Sequence, residues 1–271
     1  MKSLYMVFAT LITIVSQPTF IYGADIEVGK IDAMKIARKI WRNEGSSMRS
    51  KLVWWNRGEE FASLGIGHFI WYTRERPMWF YETFPDMLRY IMARGAKPPA
   101  WLTPRTHCIW RDYGEWREAV KRHDPKLWEL IRFLDETKAL QAKYMVRRLS
   151  MAYDRMIDYA PDEKSRRKIE REFNRLLYRK GGSIDPDGAY PLIDYTNFKG
   201  DGTLESERYS GVGWGLYQVL LGMDGKGPTP CREFARSARK VLKRLIKVSP
   251  PERRLYRFEK GWMNRMDTYC R

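Results

Sequence analysis

Asn43-Glu44-Gly45, followed a short way on by Ser63-Leu64-Gly65-Ile66-Gly67-His68, is the stretch on which the reading of this chain turns. Upstream of it, Ala33, Ile36, Ala37, Ile40 and Trp41 recur at helical spacing, so residues 32–44 are expected to form a helix that Gly45 stops. Between the two motifs, Lys51 to Tyr72 reads as a short β-hairpin. Asn56-Arg57-Gly58 supplies the turn chemistry, aromatic and β-branched residues flank it, and Gly65 and Gly67 would let a backbone approach a ligand closely.

An acid at a helix C-terminus has particular chemistry. The negative end of the helix dipole disfavours a carboxylate there, and so would apolar neighbours such as Trp41, Trp54 and Trp55. Glu44 would therefore hold its proton to higher pH than a free carboxyl, as a general acid must when it protonates a leaving oxygen. The plain alternative is a solvated residue at a helix end.

These residues resemble the lysozyme superfamily, and within it the phage-type lysozymes, which place a Glu-Gly pair at a helix end before a hairpin ending Thr-x-Gly-x-Gly-His. The resemblance covers about 30 residues, Glu44-Gly45 through His68. It implies that Glu44 is the general acid, that Ser63 stands at the hairpin's hydroxyl position, and that Gly65, Gly67 and His68 border a sugar-binding cleft. The hairpin Asp of that family falls near Asn56 here, and an amide is neither nucleophile nor base. The second carboxylate is then expected from Glu60 or Glu59, with Glu60 preferred. Strand alternation would turn only one of the two toward the cleft. Failing both, a mechanism with one acid is implied, as in the lytic transglycosylases, where the sugar's own hydroxyl attacks.

A second segment runs from Asp194 to Val219. Its end, Gly215-Leu216-Tyr217-Gln218-Val219, is similar to the Gly-Leu-x-Gln-Val of goose-type lysozymes and soluble lytic transglycosylases, which would make Glu205 or Glu207 a rival acid. Residues 181–213 carry nine glycines and prolines and read as a loop, not as a helix ending in an acid, so Glu44 is preferred. Both segments are expected along one groove, with Asn197 and Gln218 bonding sugar amides, Tyr209 or Trp214 stacking on sugar rings, and Glu207 among the lining groups. Trp214 reads equally as a core residue at a helix start.

The rest of the chain sets the frame. Its 271 residues, 44% hydrophobic and 14% aromatic, are enough for a large core. Lys2 followed by the apolar run Leu4 to Val15 and by Gly23-Ala24 reads as a secretory signal over residues 1–23. Residues 24–271 are then one lysozyme-like unit, with two lobes about 181–213 as a variant arrangement. Export would place Cys108, Cys231 and Cys270 in an oxidising compartment, with Cys231–Cys270 the preferred bridge. His68, His107 and His123 lack ligand spacing, so no metal or cofactor is expected.

The net charge of +17 calls for an anionic partner, and cationic chitosan would be repelled. Peptidoglycan or another anionic envelope glycan fits that charge; nucleic acid is not expected, nor is membrane insertion after signal cleavage. Further helices are expected over 87–94, 125–134, 138–159, 161–178, 230–248 and 253–269. On the fourth-from-last, Leu140 to Ile157, including Met151, supply a broad apolar face. The fold class is α+β, predominantly α, with a small hairpin or sheet beside the cleft. The activity expected is an exported glycosidase of muramidase or lytic transglycosylase type, and the rival is a catalytically silent envelope-binding protein of the same fold.

Overall fold

The computed structural model describes residues 26, 28–45, 48–75 and 81–270, with the backbone alone at 43–45. The expected signal over residues 1–23 lies outside that range, as does the side chain of Glu44. Among the described residues, no helix is long and apolar enough to cross a membrane.

The chain is α+β and predominantly helical. Helix α1 (Lys30–Gly45) leads into a sheet of three short antiparallel strands, β1 (Val53–Trp54), β2 (Phe61–Leu64) and β3 (Phe69–Tyr72), in the order β1-β2-β3. The expected hairpin is thus a meander with two turns. The first, at 56–58, closes with the Glu59 N–H on the Asn56 carbonyl and Gly58 at φ +94°. The second is the glycine turn itself, joining Leu64 to its partner Phe69.

Among the described residues, further helices follow: α2 (Phe84–Met92), α3 (Tyr113–Lys121), α4 (Pro125–Glu136), α5 (Lys138–Tyr159), α6 (Glu163–Leu177), α7 (Pro186–Lys199) and, after a two-stranded ribbon β4 (Arg208–Tyr209) and β5 (Val212–Gly213) and the short α8 (Leu216–Leu221), α9 (Pro230–Val248). Helix α10 (Glu259–Thr268) closes the described chain after two 3-10 turns, so the expected helix over 253–269 is regular only in its second half. Local chemistry explains the starts. Asp124, Asp162, Asp185 and Thr229 each accept a backbone N–H at a helix N-terminus, three of them just before a proline-led first turn. On α5, Met151 is 50% exposed and does not belong to the apolar face that the spacing assigned it.

The main departure is α7. Its residues Pro186 to Lys199 fall inside the stretch read as loop, because Gly188 and Pro191 argue against a helix on propensity alone. Burial overrides propensity here. Residues 188–196 are buried on every side of α7, which is packed among α1, α5, α6, α8 and α9. Gly188 is required by that packing, since a Cβ there would overlap the Leu176 carbonyl at the end of α6.

One charge sits in the buried stretch 188–196. Asp194 is 1% exposed and takes two hydrogen bonds of 2.8 Å from Arg265 and one of 2.7 Å from the Tyr269 hydroxyl, both delivered by the C-terminal segment. A second buried network ties α6 to α9, where Arg175 bridges Glu172 and Glu233.

Arg265→Ala strands the Asp194 carboxylate and is expected to cost about 3–5 kcal/mol in urea unfolding, part of which Asp194→Asn in the same chain restores. Gly188→Ala should cost about 1–3 kcal/mol through overpacking. Gly29→Ala, where a Cβ meets nothing within 4 Å, should change stability by less than about 0.5 kcal/mol in the same assay.

Candidate functional site

Helix α5 runs past both motif segments and serves as a ruler for them. At its start, Lys138 lies over the Trp41 ring at 4.2 Å, which fixes the last turns of α1, and hence the backbone of Glu44, beside the α4–α5 junction. Arg49 and Lys138 both pair with Asp135 there. Among the described residues, nothing accepts a hydrogen bond from the buried Trp41 indole N–H. The other tryptophans expected near Glu44 are otherwise engaged. Trp54 packs edge-on against Trp116 and donates to Asn56, and Trp55 is buried with its N–H on the Glu59 carbonyl.

One turn along α5, the glycine turn is seated. Gln141, 0% exposed, accepts from the Ile66 N–H at 2.9 Å and donates to the Leu134 carbonyl and the Thr137 hydroxyl. The close approach that the glycines permit is therefore to α5. A Cβ on Gly65, at φ +69°, would overlap the Gln141 amide, and one on Gly67 would press on Phe69 and Met145. Ser63 is buried between its partners Trp54 and Ile70, so its hydroxyl faces protein. His68 holds the last turn position with φ +48°.

The two segments meet at the next turn. The Asn197 amide donates to the Gly67 carbonyl at 2.8 Å and accepts from Arg148 at 2.6 Å. Asn197 thus uses both ends of its side chain inside the protein. Gln218 does the same, accepting from Gly215 N–H at 2.9 Å and donating to the Gly202 carbonyl at 3.1 Å, which caps α8 and closes the loop before it. The sequence singled out both amides, and their partners turn out to be backbone groups.

Further along α5, Arg155 pairs with buried Asp201 at 2.6 Å. Against Asp201 stands Glu207, at the end of a 3-10 turn and just before the β4–β5 ribbon. Its carboxylate packs on Gly200 and accepts from the Gly202 N–H at 2.5 Å. Burial, aided by the charge of Asp201, pushes the Glu207 carboxyl up to about 7. Glu205 has no such setting: its side chain is 91% exposed. Tyr209 and Trp214 sit ring to ring across the ribbon at 4.6 Å and are both half-exposed, which leaves them able to stack on a ligand as a pair.

At the far end of the meander, Glu59 and Glu60 are both half-buried. Burial raises the Glu59 carboxyl above its ordinary range, opposed by a 3.0 Å hydrogen bond from Asn56. Glu60 also engages a partner. Along α5, Lys138, at the end of α1, and Arg155, at the Asp201 loop, are separated by about 25 Å. Sequence reasoning passed over Gln141, Arg148, Arg155 and Asp201. A polar residue within the apolar pattern of α5 was the available signal for Gln141 and Arg148.

Set against protein-family models, curated proteins and solved structures, the chain finds no match.

Glu207 yields a pH prediction. Its carboxyl titrates higher folded than the ordinary 4.5, so its stabilising contribution is complete below about 4.5 and is lost as pH rises toward 7. Glu207→Gln removes that loss. The melting temperature of the variant relative to wild type is expected to climb between pH 5 and 8 and then level off; a difference that stays flat across that range would place the carboxylate in water.

Proposed function

We propose that the protein is a glycosidase that acts, after export, on the glycan strand of peptidoglycan, with Glu44 as the general acid. The observation that carries this reading is the Asn197–Gly67 hydrogen bond. It joins the glycine turn after the meander to the segment ending in Gly-Leu-x-Gln-Val, so two stretches remote in sequence, each resembling a part of lysozyme-like enzymes, lie side by side on α5. The order helix end, meander, glycine turn supports it. The charge of +17 favours encounter with an anionic wall, in a manner that salt weakens.

In this reading Glu44 gives its proton to the leaving glycosidic oxygen, and Glu60 or Glu59 steadies the positive charge on the sugar or directs a water. Glu59 has an orienting bond from Asn56. Glu207 is the alternative acid, supported by a carboxyl that holds its proton to about 7. In that case the Tyr209–Trp214 pair would flank the sugar. The silent envelope-binding reading is favoured by the inward-facing roles of Ser63, Asn197 and Gln218.

Purified peptidoglycan incubated with wild type, Glu44→Gln and Glu207→Gln, followed by mass spectrometry of released muropeptides, separates these. The expected outcome is release by wild type and by Glu207→Gln, with loss of about 100-fold or more in Glu44→Gln. Release by Glu44→Gln but not Glu207→Gln transfers the acid to Glu207. Reducing ends mark hydrolysis and anhydro ends mark transglycosylation. No release from any of the three, with binding retained, leaves the silent reading.

A further inference from the structure

The first turn of α9 and the last residues of the described chain place two thiols together. Cys231 and Cys270 are free, both are half-buried, and the Cys231 sulfur lies 2.6 Å from the Tyr269 carbonyl and within hydrogen-bonding reach of the Cys270 sulfur. Both line a cavity of about 550 Å3 with Asp187, Arg232 and Arg175, open enough to admit a small molecule. The third cysteine, Cys108, is buried against β3 and the Trp110 backbone, and burial pushes its thiol up to about 12.

We propose that Cys231 and Cys270 form a dithiol site that reacts with low-molecular-weight anionic disulfides of the glutathione class, Cys270 attacking and Cys231 resolving, to give an intramolecular disulfide. The order of attack follows from the surroundings. Cys231 gives its one proton to the Tyr269 carbonyl, which holds it as the thiol, while Arg232 and Arg239 favour the Cys270 thiolate and Asp267 opposes it. The Cys270 thiolate attacks one sulfur of the small disulfide, forming a mixed disulfide and expelling one small thiolate. Cys231 then loses its proton to that thiolate and attacks the Cys270 sulfur, expelling the second. Two protein thiols are oxidised, one small disulfide is reduced to two thiols, and no other oxidant is needed. Arg232 has the charge to hold a carboxylate of the incoming molecule beside the cavity.

The product ties α9 to the tail that carries Arg265 and Tyr269, and so fastens the partners of Asp194 in place. The site is independent of any activity on glycans.

The test is peptide mapping, without reduction, of the reduced folded protein after exposure to oxidised glutathione. A cross-linked peptide pair containing Cys231 and Cys270, two hydrogens lighter than the dithiol, is expected, with Cys108 alkylated only after denaturation. Cys231→Ser should accumulate glutathione on Cys270, and Cys270→Ser should take up glutathione at least ~10-fold more slowly. The oxidised protein should melt about 5–10 °C above the reduced one. Wild type that stays reduced, or that ends with glutathione on both cysteines, overturns the proposal. Equal uptake by the two serine variants overturns the assigned order of attack.

Discussion

Helices α1, α5, α6, α8 and α9 are arranged around the burial of α7. A helix with apolar, small or aromatic residues on all sides has no face to give to water, and five other helices surround it. The charge in its fully buried stretch, Asp194, is tolerable because Arg265 and Tyr269 supply three hydrogen bonds. Such a group contributes little net stability but makes alternatives expensive, because any packing of α10 that misses Asp194 leaves a carboxylate without partners in a dry site.

Helix α5 has a complementary part. Three of its polar residues each take one irregular segment: Gln141 the glycine turn, Arg148 the end of α7 by way of Asn197, and Arg155 the loop at Asp201. Loops that would otherwise carry unsatisfied backbone groups are thereby anchored to a regular element. This explains why the residues most reminiscent of a ligand site spend their hydrogen bonds internally. The groups left over for chemistry are few: the helix end at Glu44, the half-buried carboxyls of Glu59 and Glu207, and the aromatic pair on the β4–β5 ribbon.

Much of the fold was legible because strong local signals agreed with the packing. Asp124-Pro125 and Thr229-Pro230 start helices where the sequence places them, and α5 and α9 have the expected ends. Asp112 with Glu115 is the same kind of signal, and it marks α3, which spacing alone did not reveal. Helix α7 was illegible for a physical reason: Gly188 and Pro191 lower its propensity, and only the long-range burial of its other residues repays that. The candidate site was legible as a set of segments but not as a set of contacts. Asn197 and Gln218 drew notice as amides, yet sequence cannot say whether an amide's partner is a ligand or a carbonyl elsewhere in the chain. The raised carboxyl of Glu207 depends on Asp201 and Gly202, a loop whose shape no short-range pattern specifies.

The dependence of Asp194 on Arg265 also bears on how the chain is made. The two lie 71 residues apart, and translation proceeds at about 5–20 residues per second, so some 4–14 s pass between their syntheses. During that interval α7 exists with its carboxylate unmatched and its last neighbour missing. The nascent chain therefore cannot complete this part of its interior until Arg265 and Tyr269 have emerged.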